Sequence, residues 1–236
     1  MRKIQILGFV IILISWVVSC SNVPEADSRF VSFESDPSEI KMYWKDNTGN
    51  ILGSIGNLKK MVEGEGKQLK FAMNGGMYMT NQFPQGLYIE NGKMLQSLNK
   101  KQGSDNFYWQ PNGVFYINNK EEAFICKTEN FASSMDIKYA AQSGPMLVID
   151  GKIHPEFKEG SSFVHIRNGV GILPNGKVIM AISKEEVTLY DFAKFFLDRG
   201  CQNALYLDGF VSRMYCPEKG MNQLDGNFGV MIGVEK

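Results

Sequence analysis

Histidine is nearly absent: His154 and His165 are the only two in 236 residues. A histidine-rich metal centre, or a set of catalytic histidine dyads, is thereby excluded. Neither sign of charge is in excess, with 25 Lys+Arg against 25 Asp+Glu. Such a chain has no whole-molecule field to hold a polyanion, so nucleic acid is not an expected partner. Cysteine is sparse at four residues, which rules out a small disulfide-stapled scaffold. No apolar run reaches the roughly 20 residues that a bilayer-spanning helix needs. What is present, 44% hydrophobic and 21% charged residues with 24 Gly, excludes a disordered or collagenous chain and suffices for a real core.

The most apolar stretch runs from Ile6 to Val18, behind Arg2 and Lys3 and ahead of Ser19-Cys20. A basic start, a short apolar segment and small residues before a cut describe an export signal. Val17-Val18-Ser19-Cys20 resembles a bacterial lipobox. Residues 1–19 are therefore expected to be a lipoprotein signal peptide and Cys20 the acylated residue that anchors the protein to a membrane; plain secretion is the alternative. Residues 20–35 are polar and read as a tether. The rest, 36–236, reads as one domain. It holds Cys126, Cys201 and Cys216, either with Cys201–Cys216 paired in an oxidising compartment or as three buried thiols.

Hydrophobic periodicity predicts an α+β fold dominated by strands in a mixed sheet, with few helices. Asn91-Gly92, Asp150-Gly151 and Asn175-Gly176 each sit between short apolar runs and predict tight hairpins. Further strands are predicted at Leu69–Met73, Val114–Ile117, Ala123–Cys126, Ala204–Leu207 and Phe228–Val234. One helix is predicted over Ile51–Val62 and a stronger one over Thr188–Arg199, where Leu189, Phe192, Ala193, Phe196 and Leu197 form one stripe. Thr188 and Asp191 fit a cap and Gly200 fits a stop. Strand 178–183, helix 188–199 and strand 204–207 then make a crossover unit, which predicts a parallel strand pair.

Several motifs fail. Gly171 to Lys177 has P-loop spacing, but Val178 stands where Ser or Thr is required and the segment lies on a hairpin. No HExxH, CxxC, G-x-S-x-G or dinucleotide fingerprint occurs. Four glycine-punctuated segments remain at predicted strand ends, where pockets are commonly lined. Asn74-Gly75-Gly76 offers an amide side chain and two backbones that can approach a ligand closely. Gln142-Ser143-Gly144-Pro145 offers a hydroxyl. In His165-Ile166-Arg167-Asn168, an extended chain projects His165 and Arg167 to one face, and Arg can grip a phosphate through parallel N–H bonds. Finally, Leu207-Asp208-Gly209-Phe210-Val211-Ser212 places a carboxylate at the end of an apolar strand. Each has an ordinary structural reading as a turn, a salt bridge or a packed histidine.

In this order the segments Asn74-Gly75, Gln142-Ser143-Gly144-Pro145, Arg167-Asn168-Gly169, Tyr190-Asp191-Phe192-Ala193 and Leu207-Asp208-Gly209 resemble the phosphodiester glycosidase family, over roughly Leu69 to Val234 and in its bacterial envelope lipoprotein branch. The resemblance implies hydrolysis of a sugar-1-phosphodiester at the anomeric carbon. It implies Asp208, Arg167 and Asn74 as catalytic residues, with Gly75, Gly76, Ser143, Gly144, His165, Gly209 and Ser212 around the substrate. Asp208 would serve as nucleophile, general base or stabiliser of an oxocarbenium-like centre, and Arg167 as support for the departing phosphate. Glu185 and Glu186 are alternative acids. The family's animal branch continues Asp-Gly-Gly-Gly-Ser where this chain has Phe210 and Val211, which predicts a narrower pocket or lost backbone donors. No cofactor is expected; Asp208 and Asp225 are the pair that can share a hard cation such as Ca²⁺ or Mg²⁺. The expected partners are a sugar-phosphate substrate, small or part of a glycan, and a membrane through Cys20, on the periplasmic or surface face of a bacterial envelope. A non-catalytic glycan-binding lipoprotein, using Tyr78, Phe83, Tyr88, Tyr108 and Trp109 as stacking surfaces, is the alternative, and a structural lipoprotein the third.

Overall fold

The computed structural model describes residues 27–132 and 136–236; the predicted signal peptide, Cys20 and the first part of the tether lie outside them. In chain order the elements are β1 (Phe30–Ser35), β2 (Ile40–Tyr43), α1 (Ile55–Gly64), β3 (Leu69–Asn74), β4 (Tyr88–Glu90), β5 (Lys93–Gln96), β6 (Gly113–Asn118), β7 (Ala123–Lys127), β8 (Ile137–Ser143), β9 (Met146–Ile149), β10 (Lys152–Ile153), β11 (Asn168–Ile172), β12 (Val178–Ser183), α2 (Leu189–Leu197), β13 (Ala204–Asp208), β14 (Met214–Cys216), β15 (Met221–Asn222) and β16 (Met231–Glu235). The class is the expected strand-dominated α+β fold.

The strands form three sheets, ordered β1-β12-β11-β13-β9-β10, β15-β14-β3-β16-β2 and β5-β4-β8-β6-β7. Their inner faces meet in one core, to which they contribute Val178, Met180 and Leu205, Phe71 and Ile232, and Phe115 and Ile117 respectively. The first sheet is buried on both sides, and the two-residue period of a strand sorts its side chains between two cores. Along β12, Val178, Met180 and Ile182 enter the central core, whereas Ile179 and Ala181 face α2. Along β13, Leu205 and Leu207 point inward, whereas Ala204 and Tyr206 point to the helix side. The helix sits close because β11 presents glycines: a Cβ at Gly171 would stand 2.7 Å from Phe196 Cδ1, and one at Gly169 3.0 Å from Phe192 Cε1.

All three predicted hairpins form. Asn91-Gly92 and Asp150-Gly151 take positive φ at both residues, and Asn175-Gly176 at Gly176 alone. Thr188 caps α2 by accepting from the Asp191 N–H at 3.0 Å, and Gly200 follows the helix at φ 81°. Other expectations need correction. Residues 30–35 are not tether but edge strand β1, paired along β12 from Phe30↔Ser183 to Ser35↔Val178. The polar composition that suggested a tether reflects an edge whose outer side chains meet solvent. Helix α1 begins at Ile55, not Ile51, because Gly53 has φ +69° and Ser54 is the cap, accepting from Asn57 N–H at 3.2 Å. The crossover exists, but β11 is inserted between β12 and β13 and is antiparallel to both, so no parallel pair hydrogen-bonds. Cys126, Cys201 and Cys216 are free thiols; Cys201 lies in the helix-side core and Cys216 in the central one, so the first sheet separates them.

The glycine-to-phenyl packing under α2 is a stability prediction. Phe192→Ala should cost about 3–5 kcal/mol, read as a lowered midpoint of chemical denaturation.

Candidate functional site

Two sheets end at the same place. The first delivers Asp208 at the end of β13 and Asn168 at the start of β11, which are register partners. The second delivers Asn74 at the end of β3. The Asn74 carboxamide joins them. Its oxygen accepts from Asn168 Nδ2 and from the Arg213 N–H, each at 2.9 Å. Its nitrogen is thereby turned to Asp208 and donates to Oδ2 at 2.8 Å. The orientation follows from the partners, since two donors claim the oxygen side and a carboxylate can only accept. Asn168 Nδ2 also donates to the Asn74 carbonyl at 2.8 Å. Asn74 and Asn168 are fully buried.

Asp208 is 6% exposed. Burial pushes its carboxyl above the ordinary 3.8; the amides of Phe210, Gly209 and Val211 and the Asn74 side chain pull the other way without cancelling it. The Phe210 N–H donates to Oδ1 at 2.9 Å, so the loop after the strand curls its amides around the carboxylate. The donors feared lost when Phe210 and Val211 replaced glycines are retained, because they belong to the backbone. Nor does Phe210 fill the pocket: its ring stands outward, 92% exposed, at the rim. Gly209 is required by close approach, as a Cβ there would fall 1.5 Å from the Tyr206 hydroxyl oxygen.

Above Asp208 lies a cavity of about 490 Å³, lined by Met77 to Thr80, Gln85, Asp105, Asn106, His165 and Gly209 to Val211. Burial, and then the nearby Asp208 charge, hold the Tyr78 phenol above its ordinary value, so it stays protonated at neutral pH and can donate a hydrogen bond. His165 is fixed by reciprocal backbone hydrogen bonds with Val187 and by its ring meeting Phe163 edge-on at 4.8 Å. A second hollow, about 580 Å³, adjoins this cavity and shares Asp105 and Asn106 with it.

Of the residues singled out from sequence, Asp208, Gly209 and His165 line this cavity, and Asn74 holds Asp208 from behind. Arg167 does not reach it. Its side chain is fully buried, with Nε donating to Val187 O at 2.7 Å, Nη1 to Tyr206 Oη at 2.9 Å and Nη2 to Phe163 O at 2.8 Å. Alternation along a strand put Arg167 and His165 on one face, but the chain enters β11 only at Asn168, and the guanidinium is drawn under the floor. Among the described residues no carboxylate pairs with it, and burial lowers its proton affinity. Its Nη1 lies 3.4 Å from where a Gly209 Cβ would be, beneath the cavity floor.

Others are scaffold. Ser143 donates to Leu207 O at 3.1 Å, from β8 across to β13, and Ser212 to Asp208 O at 2.9 Å within the loop after β13, hydroxyls spent on backbone carbonyls. The Gly75 N–H is taken by Val230 O at 2.8 Å, and a Cβ there would meet Ile232 Cγ1 at 2.8 Å. Gly144 packs on Asn112, and a Cβ added at Gly144 would stand 2.5 Å from the Asn112 Cβ. Gly76 is buried beside the Gln142 carbonyl, away from the cavity lining. Glu185 and Glu186 are exposed and do not line it. Asp225 is ion-paired to Arg213 at 3.0 Å rather than shared with Asp208. Among the described residues no cluster of three His, Cys, Asp or Glu side chains forms. Of the aromatics, Tyr88 is core; Tyr78 lines the Asp208 cavity, and Tyr108 and Trp109 line the adjoining hollow. Phe83, partly exposed, packs on Trp44 outside both. Asn168 belongs to the Arg167-Asn168-Gly169 segment of the sequence reading without a role of its own there; the β11–β13 register gives it one, beside Asp208. The contributions of Met77, Met79, Asp105 and Asn106 carried no motif.

Fold and site together define a strand-rich α+β protein with one desolvated carboxylate at a junction between sheets, under an open cavity. The chain belongs to the phosphodiester glycosidase family, whose model matches residues 67–234. It is 37% identical over 198 residues to the uncharacterised protein YigE of Escherichia coli (strain K12), covering 84% of this chain and 77% of that one. Its fold is similar to the catalytic domain of zebrafish N-acetylglucosamine-1-phosphodiester α-N-acetylglucosaminidase, described as auto-inhibited by its pro-peptide (TM-score 0.56, 18% identity, 91% of this chain and 84% of that). A hypothetical protein from Synechocystis shares the fold with a TM-score of 0.53 and 13% identity, over 87% of this chain and 59% of that.

Desolvation of Asp208 has a measurable consequence. A folded-state pKa raised above the unfolded value penalises the ionised native state, fully above the folded pKa and not at all below the unfolded one. Asp208→Asn removes that penalty but sets an amide NH2 against either the Asn74 or the Phe210 donor. Its stability relative to the parent should fall as the pH drops through Asp208's raised pKa toward 3.8, where the parent sheds its penalty, as followed by thermal melts across pH.

Proposed function

We propose that the protein is a hydrolase that cleaves a sugar-1-phosphodiester at the anomeric carbon, releasing free sugar and a phosphomonoester. The observation that carries this reading is Asp208, a buried carboxylate held by the Asn74 side chain on Oδ2 and by the Phe210 amide on Oδ1, under a cavity of about 490 Å³. Such a group is suited to attack the anomeric carbon, to activate a water, or to steady positive charge developing there. The fixed dipoles of the 209–211 amides and Asn74 need no reorganisation as charge shifts.

A phosphate leaves as a weakly basic anion, so it needs electrostatic help more than a full proton transfer. Tyr78 and His165 line the cavity as hydrogen-bonding groups for its oxygens. Arg167 contributes from beneath, where low dielectric strengthens its field, and it holds the Tyr206 hydroxyl that supports Gly209. We further propose that the predicted signal and Cys20 place this domain on the envelope membrane of a bacterium, where glycans with phosphodiester links are within reach.

The test is release of free sugar and phosphomonoester, quantified separately, from UDP-N-acetylglucosamine and a panel of aryl sugar-1-phosphodiesters. Asp208→Asn should lower kcat by about 10²–10⁴-fold while the protein stays folded; equal turnover in both would reject the assignment. For the parent, kcat/KM should rise with pH through an acid limb set above 3.8 by the raised Asp208 pKa, since the ionised form does the work.

A further inference from the structure

We propose that the hollow beside the Asp208 cavity is a second sugar subsite, so that the substrate is an extended glycan rather than a lone phosphorylated sugar. The part concerning turnover rests on the glycosidase reading above; the binding does not. The hollow, about 580 Å³, is larger than the cavity over Asp208 itself. The two are neighbours: Asp105 and Asn106 line both, and Phe163 of the hollow meets His165 of the cavity edge to face.

The chemistry of the hollow is that of a sugar site. Pyranose rings present C–H faces that want flat apolar partners and a rim of hydroxyls that want acceptors and donors. Tyr108, Trp109 and Tyr190 line the hollow and supply rings. Trp109 is already fixed: its Nε1–H donates to Glu156 Oε2 at 2.6 Å, and its ring meets Phe157 edge-on at 5.5 Å. A platform held in place before binding loses little entropy when the ligand arrives. For hydroxyls there are Asp105, Asn106 and the second oxygen of Glu156. The charge also discriminates. Two carboxylates, Asp105 and Glu156, stand against one ammonium, Lys158, a wall that repels a nucleotide phosphate and accepts a neutral polyol.

The test separates this subsite from catalysis. Asp208→Asn protein is titrated calorimetrically with N-acetylglucosamine oligomers of one to four units and, separately, with UMP. Affinity should rise about tenfold from one unit to three, the gain of one added stacked ring, about 1.4 kcal/mol. Adding Trp109→Ala should abolish that gain and leave single-unit affinity unchanged, while Trp109→Phe should keep most of it; unchanged melting temperatures would show that both variants fold. Absence of oligomer binding, equal affinity at every length, or a gain that survives Trp109→Ala would overturn the subsite. So would tighter binding of UMP than of the oligomers. Length-dependent binding alongside a parent that hydrolyses no sugar-1-phosphodiester would reject the glycosidase reading and leave the subsite standing.

Discussion

One carboxamide couples the two halves of the site. Asn74 ends a strand of one sheet, and its side chain reaches Asp208 and Asn168 at the ends of two strands of another. Each of its polar atoms is committed, so it cannot turn over without leaving a buried donor facing donors, a cost of about 1–3 kcal/mol per unsatisfied group. The position of the Asp208 carboxylate is therefore a property of how the sheets meet rather than of the loop that carries it. Residues that look like substrate ligands by type, such as Ser143 and Ser212, serve this junction by tying down the backbone on either side of Asp208.

Placing a carboxylate in such a setting works against stability, and the structure offsets the cost only in part. Three loop amides and Asn74 stabilise the ionised form, yet burial still dominates the balance at Asp208. Arg167 is the matching case of opposite sign, a buried cation satisfied by two carbonyls and a phenol instead of a carboxylate. Tyr206 stands between them; Arg167 eases and Asp208 opposes the loss of its proton. Had Arg167 and Asp208 formed a direct ion pair, each would have quenched the other's field. Held apart, neither neutralises the other, and each is satisfied by its own set of uncharged partners.

Much of the scaffold was legible because it depends on local rules. The hairpins at Asn91-Gly92 and Asp150-Gly151 follow from backbone sterics at two residues, and α2 follows from its stripe and its Thr188 cap. Edge strand β1 was not legible, since a strand exposed along one side has no strong apolar period. The insertion of β11 between β12 and β13 was not legible either, because strand order is set by long-range pairing. The same limit applied to the site. Asp208 stood out as a carboxylate after an apolar strand, but the direction of the Arg167 side chain was decided by Val187, Phe163 and Tyr206, which converge from separate segments.

The amino-acid sequence by itself determined the elements, the hairpin positions, the placement of a carboxylate at a strand end and the ordered motifs that mark the family. These are encoded within windows of a few residues, where sterics and hydrophobic period act. Only the tertiary structure decided which polar groups front the cavity and which are spent behind it. That division depends on hydrogen bonds between residues as far apart as Asn74 and Asp208, and buried polar groups take whichever partner the packing of three sheets brings within reach.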